Sequence, residues 1–205
     1  MAKAETKQID VGVDQIMKQV PVGVSARHIH LSPEHIEILF GSGYQLKEFK
    51  PLSQPGQYAA EETVAVEGAK GNFPKVRILG PARGSTQLEI SRTDSFALGV
   101  NAPVRESGNI AGTPGIKVIG PKGEVTLSEG VIVAARHIHF HTEDAKKWGI
   151  QDKQLLQVKM NGERPLIFQD VVARVSDSYA LDMHIDTDEA NAAGIKNGDL
   201  AEILL

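Results

Sequence analysis

The chain of 205 residues contains no cysteine. A disulfide framework, a thiolate-bound metal and a cysteine nucleophile are therefore excluded, and a reducing compartment fits. Aromatic residues make up 5% of the total, with a single tryptophan, leaving few platforms on which nucleic-acid bases could stack. Positive charge is not in excess either. Lysine and arginine number 22 against 26 aspartates and glutamates, a net charge of -4, which disfavours a basic nucleic-acid binder. No apolar run approaches the roughly 20 residues of a membrane span. The N-terminus lacks the charged-then-apolar order of a secretory signal. Neither a Walker loop nor a Rossmann glycine fingerprint occurs, which argues against an ordinary ATP or NAD site. With 41% hydrophobic and 23% charged residues, the chain reads as a soluble intracellular protein with enough apolar material for a core. At roughly 100–200 residues per domain it forms one large domain or two small ones.

Short β-prone runs bounded by Gly, Pro, Asn and Asp fill most of the chain: 22–26, 64–67, 75–79, 87–91, 116–119, 131–135, 155–160, 170–175 and 201–205. This pattern predicts a mainly β protein, a barrel or sandwich rather than a parallel sheet. The expected helices are short. Ser32-Pro33-Glu34 launches one that runs to Phe40 and stops at Gly41. Thr142 and Thr187 start two more, closed by Gly149 and Gly194. Residues 41–61 are turn-rich and read as an excursion. Near the N-terminus, Ile9, Val13, Ile16, Met17 and Val20 fall at helical spacing, so residues 1–20 are expected to form an amphipathic segment that packs on its own domain or docks on another protein.

The most informative feature is internal repetition. Residues 22–34 read VGVSARHIHLSPE and residues 131–143 read VIVAARHIHFHTE, identical at more than half of the aligned positions. A weaker third copy follows, in which His184-Ile185-Asp186-Thr187-Asp188 resembles His139-Phe140-His141-Thr142-Glu143. The unit is a strand, a histidine at its end, a helix cap, a short helix and a glycine stop. Two similar halves are thereby expected, with histidines at equivalent strand ends.

Residues i and i+2 of a strand point to one face. His28 and His30 share a face, and so do His137 and His139. Imidazole is a common ligand for zinc and related metals, and two on one strand face can chelate a single ion. An isolated pair of this kind is often a surface accident, but folding alone gives no reason to duplicate it. His184 gains weight from its match to His139. His141 reads as a surface or capping residue, and His35, inside the first expected helix, as a surface residue. A carboxylate would complete a two-metal set. Glu89 is the attractive candidate, though composition does not choose it over Glu61 or Glu106. Among the arginines, Arg83 in its glycine-flanked turn is the preferred phosphate ligand. Arg27 and Arg136 point away from the histidine face and brace the sheet. Residues 107–109 and 112–115 form glycine-containing loops able to cradle a phosphate or nucleotide.

These residues carry a resemblance. Residues 23–31, 54–61, 89–94, 112–115, 136–139 and 183–193, in one order, make residues 21–205 similar to the PduL-type phosphate propanoyltransferase family, phosphotransacylases linked to bacterial microcompartments. The resemblance implies two β-barrels with short capping helices. One barrel would combine residues 21–26 with 135–205, and the other would hold 27–134, so that the halves exchange a strand. It implies acyl transfer between coenzyme A and phosphate at two zinc ions, one on His28, His30 and Glu89, the other on His137, His139 and His184. Arg83 matches the phosphate-handling arginine, and Phe96 and Ser107 match positions near bound coenzyme A. The resemblance further implies a homodimer in the bacterial cytoplasm, with neither nucleic acid nor membrane as partner. A place inside a microcompartment for propanediol degradation would be reached through shell or cargo contacts of the N-terminal helix, although the segment before Pro21 is short. Two other readings share the residues: a dinuclear metal-dependent thioester hydrolase, with water replacing phosphate, and a non-catalytic shell component.

Overall fold

The computed structural model describes residues 18–204. In chain order the elements are β1 (Lys18–Ser25), β2 (His28–His30), α1 (Pro33–Phe40), β3 (Glu48–Pro51), β4 (Tyr58–Glu67), β5 (Asn72–Gly80) and β6 (Gln87–Glu89). Next come α2 (Arg92–Leu98), β7 (Val104–Arg105), β8 (Lys117–Ile119), β9 (Glu124–Thr126) and β10 (Val131–Ala134). The chain finishes with β11 (His137–Phe140), α3 (Thr142–Trp148), β12 (Leu155–Met160), β13 (Leu166–Val175), β14 (Asp182–Asp186), α4 (Thr187–Ala193) and β15 (Leu200–Leu204).

The strands form two sheets. One is a closed barrel in the order β1-β14-β11-β13-β12-β15. The other runs β7-β10-β6-β2-β5-β4-β8-β9, with β3 paired to β4, and its path does not close. The fold is thus mainly β with short helices, built on two related sheets of which one is a full barrel. Each sheet has its own core. Ile138, Phe140, Val158, Met160 and Met183 belong to the barrel cluster, whereas Ile29, Leu31, Val76, Ile78 and Leu88 belong to the other. Burial of each such aliphatic side chain stabilises the fold by roughly 1.5–3 kcal/mol.

The duplicated sequence has a topological consequence. β1 precedes β2 in the chain, yet it pairs in parallel with β14 in the barrel, Gly23 opposite His184. β10 precedes β11, yet it pairs in parallel with β6 in the open sheet, Ile132 opposite Glu89. Each half therefore lends the strand before its histidine pair to the other, and the connections at residues 26–27 and 135–136 cross between them.

The four helices follow one local grammar. Ser32, Ser91, His141 and Asp186 each cap a helix by accepting a hydrogen bond from a backbone N–H of the first turn. Asp186 and Glu189 complete a reciprocal capping box. Gly149 and Gly194 end α3 and α4 at φ of 70° and 64°, a left-handed conformation that costs glycine nothing and other residues about 1 kcal/mol or more. The cap at His141 agrees with the role expected of it. Helix α2 was not anticipated from the sequence, although Ser91, Asp94 and Gly99 supply the same signals.

One expectation changes at the N-terminus. Lys18, Gln19 and Val20 belong to strand β1, not to a helix. Val20 and Val22 both turn into the barrel core, so a two-residue period governs this stretch. The remainder of the expected amphipathic segment lies outside the described residues.

Candidate active site

Both histidine pairs sit on polar–apolar–polar triplets. Ile29 and Ile138, each 0% exposed, anchor their strands in the two cores. The flanking histidines consequently project from the opposite face. Each pair meets a third donor on a neighbouring antiparallel strand, with His28 opposite Glu89 and His137 opposite His184. All six residues line one cavity of about 830 Å³ walled by both halves of the molecule. Residues 50–54 of the turn-rich excursion close one side of it. Gln54, 2% exposed, donates from Nε2 to the Ala180 carbonyl at 2.9 Å and accepts from the Ala180 N–H at 3.2 Å, fastening the excursion to the barrel.

Hydrogen bonding decides which ring nitrogens are available. The Nδ1 atoms of His28, His30 and His137 lie 2.9, 3.2 and 2.8 Å from the carbonyls of Ala26, Leu79 and Ala135. A carbonyl only accepts, so each Nδ1 carries the proton and Nε2 presents its lone pair in the neutral ring. The Nε2 atoms of His28 and His30 lie 3.4 and 3.8 Å from the Glu89 carboxylate. In the other group, Nε2 of His137 and Nε2 of His139 are 3.0 Å apart.

The electrostatics suit cation binding. Burial, reinforced by neighbouring charges, pushes His30 down to about 3, His137 to about 4 and His139 to about 2, so these rings are neutral donors at pH 7. Burial also disfavours charged His28, but the charge and hydrogen bond of Glu89 outweigh it and raise its pKa. Glu89, although buried, is held well below the usual carboxylate range by His28. His28 and Glu89 thus each favour the charged form of the other.

Do these residues fit a metal? The donor atoms of His28, His30 and Glu89 all lie within 4.8 Å of one another, and so do those of His137, His139 and His184. Nδ1 of His139 is buried with no hydrogen-bond partner among the described residues, the mark of a polar group awaiting something the polypeptide does not provide. Sets of three imidazoles, or two imidazoles and a carboxylate, are borderline donors suited to zinc, and three protein ligands leave a position open for substrate. The fit is good for both groups.

Around the donors lies a supporting layer. Glu89 Oε1 accepts from Gln87 Nε2 at 2.6 Å and from Ser107 Oγ at 2.9 Å. Arg83 Nη1 donates to the same Ser107 hydroxyl at 3.1 Å, so Arg83, Ser107 and Glu89 form one chain of contacts at the cavity wall. In the barrel, Asp182 Oδ2 lies 2.9 Å from His184 Nε2 and accepts from Ser53 of the excursion. Gly23 allows β1 to pass this close to the site. A Cβ there would stand 3.0 Å from His184 Cδ2 and 3.2 Å from Asp182 Oδ2.

The other expected residues separate clearly. Phe96 is 73% exposed on α2 and does not line the cavity. Arg27 closes two bonds on Asp94, at 3.0 and 2.6 Å, and Arg136 donates to Glu189 at 2.9 Å, so both brace the helices that follow the third-donor strands. His35 Nδ1 contacts Thr86 Oγ1 at 2.7 Å. Glu106 pairs with Lys153. The 112–115 loop is tied to its own half, with Thr113 Oγ1 donating to the Ile110 carbonyl and accepting from Gly130 N–H. Sequence reasoning missed Gln87, Asp182, Arg174 and Tyr179. For the first two a signal existed: Gln87-Leu88-Glu89 and Asp182-Met183-His184 repeat the polar–apolar–polar form of the histidine triplets.

Converging buried donors with arginines beside them, in a cavity between two duplicated halves, define an enzyme active site. Residues 21–196 match the family model for phosphate propanoyltransferase. The chain is 54% identical over 196 residues to a phosphate propanoyltransferase of Thermotoga maritima, covering 94% of this chain and 93% of that protein. It is likewise 54% identical over 185 residues to one of Listeria monocytogenes (90% and 87% covered), and 50% identical over 194 residues to one of Rhodopseudomonas palustris (95% and 85% covered). The chain belongs to the phosphate propanoyltransferase family and is an enzyme of the phosphate acyltransferase class. Among the described residues no helix is long and apolar enough to cross a membrane.

Proposed function

We propose that the enzyme transfers an acyl group, propanoyl or acetyl, between coenzyme A and inorganic phosphate at two zinc ions. His28, His30 and Glu89 would hold one ion, and His137, His139 and His184 the other. The observation that carries this reading is the convergence of two complete donor sets on one cavity beside Arg83. When bound, the metals supply Lewis acidity for a thioester carbonyl and a departing thiolate. The protein's own groups do the rest. The backbone carbonyls at residues 26, 79 and 135 fix three rings in the tautomer that presents Nε2. Gln87 and Ser107 hold the Glu89 carboxylate, and Arg83 presents guanidinium N–H groups to phosphate. A phosphate oxygen attacks the thioester carbonyl carbon, the C–O bond forms, the C–S bond breaks, and coenzyme A leaves as thiolate. Phosphate is the nucleophile, so the absence of cysteine is no obstacle.

On the same reading, residues 21–26 with 135–205 form one domain and 27–134 the other, a division supported by the sheet connectivity. The enzyme works as a homodimer in the bacterial cytoplasm. Residues 1–20 are the segment that shell or cargo proteins of a propanediol-degrading microcompartment would hold. Ser107 and Phe96 contact coenzyme A, Ser107 from the cavity wall and Phe96 from outside it.

The test is release of coenzyme A thiol from propanoyl-CoA by zinc-loaded protein, with and without phosphate. Phosphate-dependent release with an equal yield of acyl phosphate is expected. Release that ignores phosphate would make the protein a thioester hydrolase and overturn the reading.

A further inference from the structure

Four arginines line the cavity, and they differ in where their N–H groups go. Arg27 is spent on Asp94, as described. Arg77 donates from Nη1 to the carbonyls of Ala60 and Glu61, at 2.8 and 3.0 Å. The other two have no carboxylate or carbonyl partner among the described residues. Arg83 reaches only the Ser107 hydroxyl, and Arg174 reaches only the Tyr179 hydroxyl, from Nη2 at 3.3 Å. A guanidinium has five N–H donors, so both retain most of their capacity facing the cavity.

Arg174 is fixed by the barrel. It stands opposite His139 in the parallel β11–β13 ladder, on the same face of the sheet. Tyr179 lies near both side chains, its ring 4.4 Å from that of His139 and 5.7 Å from the Arg174 guanidinium carbon. The corresponding place beside His30, the equivalent histidine in the open sheet, is held by Leu79, whose carbonyl braces that ring. The open sheet carries its arginine at the other histidine, Arg77 opposite His28 where the barrel has Val172 opposite His137, so the arginine opposite the second histidine is particular to the barrel. Arg83 stands on the opposite half of the molecule, and burial together with the charge of Arg174 lowers its pKa. Two like charges turned toward one space, each short of acceptors, describe a gap shaped for a multiply charged oxyanion.

We propose that Arg174 is a second phosphate-binding residue, which with Arg83 grips inorganic phosphate, or the phosphoryl end of the acyl phosphate, from opposite halves of the cavity. The inference rests on the transferase reading above and deepens it. The phosphates of coenzyme A are the competing source of the same chemistry. Placement beside a donor histidine, and not on the excursion at the cavity's side, favours the transferred phosphate.

The experiment uses zinc-loaded wild type, Arg174→Gln and Arg174→Lys. The KM for phosphate at saturating propanoyl-CoA is compared with the KM for propanoyl-CoA at saturating phosphate. Metal content is measured on every sample, and the rise in melting temperature with inorganic phosphate is followed without turnover. Loss of a charge-assisted contact predicts a phosphate KM about 10- to 100-fold higher in the glutamine variant. The lysine variant is expected to fall in between. The KM for propanoyl-CoA and the metal content should stay within about twofold of wild type. The phosphate-induced thermal shift should need correspondingly more phosphate. A rise confined to the propanoyl-CoA KM would assign Arg174 to the coenzyme and overturn the proposal. Lost metal, or both KM values rising together, would make it a structural residue and overturn it too. If wild type releases thiol without phosphate, the transferase reading fails. A phosphate-induced thermal shift that Arg174→Gln abolishes would still support the two-arginine anion site.

Discussion

The two halves share a plan and differ in its chemical details. Each has a histidine pair on a short central strand, a third donor on the antiparallel neighbour, a parallel strand lent by the other half, and a capped helix of seven residues beyond the third donor. The barrel closes while the other sheet stays open. The third donor is His184 in the barrel and Glu89 in the open sheet. The residue two positions before it is Asp182 in one case and Gln87 in the other. Where β1 brings Gly23 past His184, β10 brings Ile132 past Glu89. Placement is thus repeated and charge is not. Three neutral imidazoles leave a bound dication its whole charge, whereas a carboxylate removes one unit. The all-histidine group also has the unspent Arg174 close by, so, on the proposed reading, duplication would yield two cation sites of unequal strength facing one substrate space.

The comparison breaks most visibly when donors are removed. His30→Ala and His139→Ala should each lower turnover by more than about 100-fold, because even groups that only orient a metal ligand are worth 10- to 100-fold. Each variant should lose one of two zinc equivalents in elemental analysis. Loss of both ions from either variant would show one coupled centre in place of two separate ones.

A smaller effect separates the halves by pH in the metal-free protein. His137 and His139 are pushed down by burial to about 4 and about 2, so between those values and 6.5 the unfolded chain binds more protons than the folded one. Stability therefore falls as pH drops through this window. In the open sheet His30, lowered to about 3, acts in the same direction, but raised His28 acts oppositely. Its stabilisation is complete below 6.5 and is lost as pH rises through its folded pKa. Urea unfolding of chelator-treated protein from pH 7.5 to 5 should show a slope that His137→Asn flattens and His28→Asn steepens. Equal slopes in the two variants would remove the distinction.

The arginine braces give the smallest effect. Arg27 closes two bonds on the Asp94 carboxylate, which is 6% exposed, and its guanidinium carbon lies 4.0 Å over the Phe73 ring. Arg136 makes one bond to a more accessible carboxylate, together with one to the Gln169 carbonyl. Arg27→Ala should cost about 1–3 kcal/mol, since it strands a buried charge. Arg136→Ala should cost roughly 0.5–1 kcal/mol. Urea denaturation midpoints check the order, which would reverse if the braces were set by exposure of the arginine alone.

Local signals made much of this legible in the sequence. The polar–apolar alternation of His28-Ile29-His30 and its duplicate, the Ser32 cap and the glycine stops all act over a few residues, and each gave the right element. Strand pairing acts over the whole chain, so the open path of the second sheet could not be read from composition. Lys18–Val20 entered a strand because Val20 and Val22 are drawn into a core completed by residues from the far end of the sequence. Helix α2 escaped notice because residues 87–91 read as one strand, which absorbed the Ser91 cap that starts the helix. The five histidines that the fold brings together stood out because the repeats carry their spacing, whereas Glu89 was chosen over Glu61 and Glu106 only through the family resemblance. Arg174 was not, since what an arginine does depends on which acceptors its donors have already met, and that is settled only in three dimensions.

The exchanged strand sets the timetable of synthesis. β1 leaves the ribosome well before its partners β14 and β15. Contacts between residues so far apart in the chain form slowly, because a long loop must close before they bring any gain. A nascent chain thus carries β1 without these partners until β14 and β15 have emerged. The open-sheet donors have their full sheet once β10 has emerged beside Glu89, whereas His184 gains its parallel neighbour only when β14 reaches the waiting β1. The two donor sets should consequently mature one after the other, the open-sheet set first and the barrel set second.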